Sequence, residues 1–177
     1  FRGKRTIYSI LYATLLIPAF ATVVPVYELL IKTSLVNTYW GLIFPQTAGN
    51  LTFATLVIAG YMATIPKELE EAAFMDGCNR WQMFVKIFVP ISQPVFASAS
   101  IFVFMWAYND LFSALIFVNK ENVRPIVALL NEISSQYGTD FGLMATAVSL
   151  TVIPVLIVYL FISKYIQKGL TEGAVKG

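Results

Sequence analysis

The chain has no histidine and a single cysteine, Cys78, among its 177 residues. Without histidine there is no imidazole base, no Ser-His or Cys-His pair, and no use of the commonest metal ligand. One cysteine excludes an intrachain disulfide and any paired-thiol motif, and Cys78 reads as an inert small residue. Charge is scarce as well. Only 12% of residues are charged, with a formal net charge of +2, against roughly 25% charged in a soluble domain. No lysine-arginine run is present that would track phosphates, so nucleic acid is not expected as a partner. No catalytic residue, metal site or cofactor is expected.

What the chain has instead is apolar side chain: 58% of residues are hydrophobic and the mean hydropathy is +0.72. A membrane helix needs roughly 20 predominantly apolar residues. Four segments qualify, at about 7–31, 40–65, 87–112 and 141–166. The first is interrupted by Pro18 and Pro25, and the second holds Gln46 and Asn50. The third begins near Pro90 and Pro94, and the fourth contains Pro154. Such prolines are tolerated where neighbouring groups satisfy the freed carbonyls. The expected fold is an all-α membrane protein, a polytopic helical bundle with four transmembrane helices. The first residue is Phe1 and not methionine; the chain reads as a piece of a longer protein whose N-terminal part is missing.

An even number of spans puts both ends on one side. That side, with the central loop, carries Arg2, Lys4, Arg5, Lys67, Arg80, Lys86, Lys164, Lys168 and Lys176; the other carries Lys32, Lys120 and Arg124. The excess of cations places the termini and the loop in the cytoplasm. On the opposite side, Pro125 followed by Ile126, Val127, Leu129, Leu130 and Ile133 predicts a short helix at the outer surface. Gly138 and Gly142 form a GxxxG spacing at a polar span edge, which reads as chance.

The central loop, 66–90, is the polar island of the chain. Pro66 suits a helix start, and Glu68, Glu70 and Glu71 complement the positive helix end. Leu69, Ala72 and Ala73 fall on one small apolar face. Gly77 is placed to end the helix in a left-handed conformation, and Asn79 to cap a second short helix. Trp81, Phe84, Val85 and Phe88 then form an apolar face expected to lie on the bundle. By residue chemistry alone the loop is either a docking site or an ordinary amphipathic connector.

Glu71-Ala72-Ala73, Gly77 four residues on, Ile87 ten further, and the closing pair Val89-Pro90 resemble the EAA loop of ABC-importer permeases. That pattern has leucine where Val89 stands. Asn37-Thr-Tyr-Trp-Gly-Leu-Ile-Phe-Pro45, Tyr108-Asn-Asp-Leu-Phe112 and the ending Gly169-Leu-Thr-Glu-Gly-Ala-Val-Lys-Gly177 are similar to the carbohydrate-uptake branch, which includes the maltose-transporter subunit MalG. Tyr108 takes a position usually held by tryptophan.

The resemblance covers nearly the whole chain. It implies a six-span permease represented here by its C-terminal portion, 1–177, with a coupling loop at 66–90 and a cytoplasmic tail at 167–177. It implies a bacterial or archaeal cytoplasmic-membrane location. It also implies ABC ATPase subunits, a second permease subunit and an extracytoplasmic solute-binding protein as partners, with membrane lipid around them and a carbohydrate as cargo. Glu71, Ala72, Ala73, Asp76 and Gly77 become the expected ATPase-facing set. Asn109 and Asp110 become candidates for the substrate path. Glu28, near the outer end of the first span, reads as a solvated interface residue. Another cargo, or a secondary transporter without an ATPase, are the competing readings.

Overall fold

The computed structural model describes residues 2–136 and 140–174, with side chains described for all of these except 132, 134–136 and 164–174. Nine helices follow one another among the described residues. They are α1 (Lys4–Leu15), α2 (Ala19–Lys32), α3 (Trp40–Met62), α4 (Lys67–Met75), α5 (Arg80–Ile91), α6 (Gln93–Tyr108), α7 (Leu111–Phe117), α8 (Ile126–Gln136) and α9 (Phe141–Ala174). A 3-10 turn at Glu121–Val123 precedes α8, and the described residues contain no strand. The expected outer helix is α8, beginning one residue after Pro125. The GxxxG spacing falls partly outside the described residues, at Gly138.

Among the described residues, two helices are long and apolar enough to cross a membrane: α3 and the Phe141–Ser163 stretch of α9. Two further pairs meet that test only together, α1 with α2 and α5 with α6, bent by 101° and 68°. Counting each bent pair as one span gives four. The interrupted span expected over 7–31 is observed as two helices, α1 and α2, bent by 101° where they meet. Pro18 is the cause. It has no N–H to continue α1, and its ring forces Ile17 out of the helical region. Pro18 sits extended (φ −60°, ψ 129°) and its carbonyl opens α2 by accepting the Ala21 N–H at 2.9 Å. Pro25 lies inside α2 without ending it.

The chain divides into two compact units. The first comprises Phe1–Thr52 and Phe104–Leu156. Its core is Leu30, Leu42, Phe117 and Val118, with Val23, Val26 and Tyr27 packed against it. Tyr27 stacks on Phe117 with ring centres 6.3 Å apart. Asn37 fastens this core from outside. It adopts a left-handed φ of 63°, donates its N–H to the Phe117 carbonyl at 3.0 Å, and accepts the Asn119 and Lys120 N–H groups on Oδ1. The Tyr108 hydroxyl joins α6 to α9 through the Thr151 carbonyl at 2.7 Å. At the start of α3, the Thr38 hydroxyl donates to the Leu35 carbonyl and accepts the Gly41 N–H. Gly41 is buried here, and an added Cβ would overlap the Leu35 carbonyl oxygen.

The second unit comprises Phe53–Val103 and Ile157–Gly177. Phe53 meets Phe102 edge to face at 5.9 Å. At the α5–α6 bend, the Tyr61 hydroxyl donates to the Ile91 carbonyl at 3.3 Å. Ser92 at the same bend is fully buried.

Helices α2 and α4 end in the same way. In α2 the Leu35 and Ser34 N–H groups return to the Leu30 and Ile31 carbonyls; in α4 Cys78 and Gly77 return to Ala73 and Phe74. Both are Schellman closures, which need one left-handed residue. Gly77 supplies it in α4 at φ 79°, whereas Ser34 holds φ 57° in α2. A left-handed residue with a Cβ costs roughly 1–2 kcal/mol.

Two stability predictions follow from these backbone positions, both read by thermal unfolding of the purified full-length protein. Gly41→Ala destabilises by about 1–3 kcal/mol through overpacking, while Gly60→Ala, with open space around it, is neutral or stabilising by up to about 1 kcal/mol. Ser34→Gly stabilises by about 0.5–1 kcal/mol and Gly77→Ala destabilises by about 1 kcal/mol. Equal melting temperatures across either pair would contradict the assignment.

Candidate functional site

Helix α4 is a short, well-terminated rod. Pro66 precedes it with φ −58° and ψ 139°, and Glu68 and Glu70 occupy its first turn. Proline there loses no helical hydrogen bond, and carboxylates complement the exposed N–H dipoles. At the other end Gly77 turns the chain as the sequence predicts. A Cβ at Gly77 would meet nothing within 4 Å, so glycine is required by the backbone angle and not by space.

The five residues expected to face an ATPase do not share one surface. Glu71, Ala72, Asp76 and Gly77 are exposed. Ala73 is 3% exposed and faces its own unit. The expected small face of Leu69, Ala72 and Ala73 is thus split: Ala73 seats the helix while Leu69 and Ala72 look outward. The outward surface also carries two large apolar side chains missed in the sequence, Phe74 and Met75, 72% and 85% exposed. They lie three and four residues after Glu71, on its side of the helix. Their signal was present, since two bulky apolar residues at the end of a charged helix have no reason to face water. Glu71 has no hydrogen-bond or ion-pair partner among the described residues.

Asn79 begins α5 with a reciprocal cap. Its side chain accepts the Gln82 N–H at 2.8 Å, and its own N–H donates to the Gln82 side-chain oxygen at 3.0 Å. This satisfies two backbone donors in opposite directions. The expected buried face of Trp81, Phe84, Val85 and Phe88 is corrected. Trp81 is 71% exposed, Phe84 and Val85 are also exposed, and Met83 is the buried residue. After Met83 the helix widens into a π turn over Phe84–Phe88. The extra residue in that turn rotates every later side chain away from simple helical spacing. Pro90, which cannot donate, follows directly.

A second site lies within the first unit. A cavity of about 650 Å³ is lined by residues of α2, α3, α6 and α7, among them Phe20, Gln46, Asn50, Trp106 and the two sequence candidates Asn109 and Asp110. Asp110 caps α7: Oδ1 accepts the Ser113 N–H at 3.1 Å, and Oδ2 accepts Gln46 Nε2 at 3.3 Å. Gln46 also donates to the Ala107 carbonyl at 3.3 Å. Asn109 is exposed and bonds its own helix at the Met105 carbonyl. In the sequence Gln46 and Asn50 are polar residues inside the second apolar segment. Their four-residue spacing, which stacks two amides on one helix face, was the available signal. Glu28 is exposed and does not line the cavity.

The family described as the binding-protein-dependent transport system inner membrane component matches residues 1–172. Among curated relatives, the probable ABC transporter permease protein YurM of Bacillus subtilis (strain 168) is 34% identical over 177 residues, covering 100% of this chain and 59% of the relative. The osmoprotective compounds uptake permease protein GgtD of Synechocystis sp. is 29% identical, covering 99% of this chain and 59% of the relative. The melibiose/raffinose/stachyose import permease protein MelC of Bacillus subtilis (strain 168) is 29% identical, covering 98% and 63%. The chain spans about three-fifths of the length of these relatives. A helical membrane protein whose sequence is covered this fully by one family model has its class fixed: this chain belongs to the binding-protein-dependent transport system inner membrane components, the permeases of ABC importers.

Proposed function

We propose that the chain forms the transmembrane domain of a permease subunit in an ATP-driven importer of carbohydrate. In this reading it sits in the cytoplasmic membrane beside a second permease subunit, with ATPase subunits on the cytoplasmic side and a solute-binding protein outside. The termini and the 66–90 loop are cytoplasmic, which the nine-to-three division of lysine and arginine supports. Hydrolysis of ATP belongs to the partner subunit.

One observation carries the coupling role: the exposed end of α4, where the unpartnered Glu71 stands beside Phe74 and Met75. An acidic group against an apolar surface fits a cleft with a cation and apolar walls. The Schellman closure at Gly77 and the Asn79 cap hold α4 and α5 at a defined turn, so a push on one helix is not absorbed by the connection. Ala73 serves by seating α4 and the other four expected residues by contact. The relative named for melibiose, raffinose and stachyose favours a sugar as cargo. The relative named for osmoprotective compounds supports a second reading, a small osmoprotective solute carried by the same machine.

In cells carrying the full-length transporter, Glu71→Lys is expected to lower ATP-dependent sugar uptake by about tenfold or more, the scale of an interfacial charge pair turned repulsive. Membrane insertion is unchanged, and less ATPase co-purifies. Uptake and co-purification equal to the parent would remove Glu71 from the interface.

A further inference from the structure

The bend between α5 and α6 holds a buried group with nothing to bond. Ser92 lies at that bend, fully buried, and its Oγ has no hydrogen-bond partner among the described residues. With no accessible surface, it does not meet water either. A buried hydroxyl left unmet is destabilising, and in a folded protein such a group asks for a reason. Other helical hydroxyls of this chain meet the same need by reaching back one turn. Ser98 Oγ donates to the Pro94 carbonyl at 3.0 Å, and Ser149 Oγ to the Ala145 carbonyl at 2.7 Å. The carbonyl one turn before Ser92 belongs to Phe88. It accepts the Ser92 N–H at 3.0 Å, and a carbonyl has a second lone pair to offer. At the bend the hydroxyl does not use it.

The chain around Ser92 is a weakened helix. The π turn over Phe84–Phe88 ends four residues before it, and single π turns recur at functional sites. Pro90 and Pro94 flank it, and Pro94 has no N–H to return to the Pro90 carbonyl. Ser92 itself sits at φ −85° and ψ 3°, in the sparsely populated bridge region. The tie from α3, the Tyr61 hydroxyl on the Ile91 carbonyl, is 3.3 Å long, beyond the usual length of a hydroxyl bond. On either side the helix is seated, by Met83 before the bend and by Val95 and Ala99 after it. The 68° bend is a weak joint between two firm arms.

We propose that the α5–α6 bend is a sprung hinge, which straightens when ATP drives the coupling loop. In the bent form the Ser92 hydroxyl is unmet. In the straighter form it donates to the Phe88 carbonyl one turn back, and the bond gained favours that form. The proposal rests on the importer reading above and deepens it: the α4–α5 turn carries the push, and the α5–α6 joint yields to it.

The test uses the full-length transporter assembled with its ATPase subunits and solute-binding protein in lipid nanodiscs. Spin labels are placed through Arg80→Cys and Ser100→Cys in a Cys78→Ser background, since both positions are exposed and lie on the two arms. The distance between labels is read by pulsed electron paramagnetic resonance, without nucleotide and with ATP and vanadate. Straight helix over this stretch spans about 30 Å, and the 68° bend at Ser92 shortens it to about 25 Å. The vanadate-trapped state is expected to add a population about 3–5 Å longer than the nucleotide-free one. Ser92→Ala removes the hydroxyl and keeps the packing. It is expected to lower the ratio of long to short distances in the trapped state about fivefold or more, the scale of one buried hydrogen bond. One distance, the same in both states while the transporter hydrolyses ATP, would overturn the hinge. An unchanged ratio in Ser92→Ala would reduce Ser92 to a packing residue and overturn the proposal as well. If no ATPase subunit co-purifies and no ATP is hydrolysed, the importer reading fails first, and the proposal falls with it.

Discussion

The structure depends on one constraint: a backbone carbonyl in an apolar setting must find a donor. An unmet carbonyl in hydrocarbon costs several kcal/mol, and this chain carries 8 prolines, each of which removes a donor and crowds the preceding turn. Three tyrosine hydroxyls donate to carbonyls far away in sequence. Tyr61 donates to the Ile91 carbonyl, Tyr39 to the Asn122 carbonyl and Tyr108 to the Thr151 carbonyl. Each acceptor lies three residues before a proline, at Pro94, Pro125 and Pro154. The same bonds do architectural work, because each tyrosine comes from a distant part of the sequence. Tyr108 ties α6 to α9, and Tyr39 ties the start of α3 to the 3-10 turn before α8.

The two candidate sites apply opposite versions of that constraint. In the α4–α5 turn the helix end and the next helix start are closed by local groups, through the Schellman closure and the reciprocal Asn79–Gln82 cap. What is left over is side chain, Glu71 with Phe74 and Met75, which suits a surface that meets another protein. In the cavity of the first unit, side-chain amides of Gln46, Asn50 and Asn109 each donate to a backbone carbonyl.

Much of this was legible in the sequence because local rules decide it. Gly77 as the left-handed stop, Asn79 as the cap and Pro125 as the helix start depend on a few neighbouring residues, and all three stand where the sequence puts them. The failures come where non-local geometry or an irregular turn intervenes. Helical spacing assigned Trp81 inward with Phe84 and Val85, but packing buries Met83 instead, and the π turn over Phe84–Phe88 shifts the side chains that follow it. Hydropathy marks residues 7–31 as apolar and Pro18 as an interruption, but it does not report the size of the bend, 101°. Ala72 and Ala73 look alike in sequence, and only packing separates the exposed one from the buried one. The pairing of Gln46 with Asp110 spans 64 positions, a separation no local pattern reports.

The central claim is that the exposed end of α4 meets an ATPase subunit on the cytoplasmic side. The most direct measurement is chemical cross-linking in the assembled full-length transporter, with Glu71→Cys introduced into a Cys78→Ser background and a short bis-maleimide added to membranes. The account predicts a covalent adduct between the permease and its ATPase subunit, with a yield that changes when ATP is supplied. It also predicts no labelling of that cysteine by an impermeant maleimide applied to the outside of intact cells. Labelling from outside, with no ATPase adduct, would contradict the account.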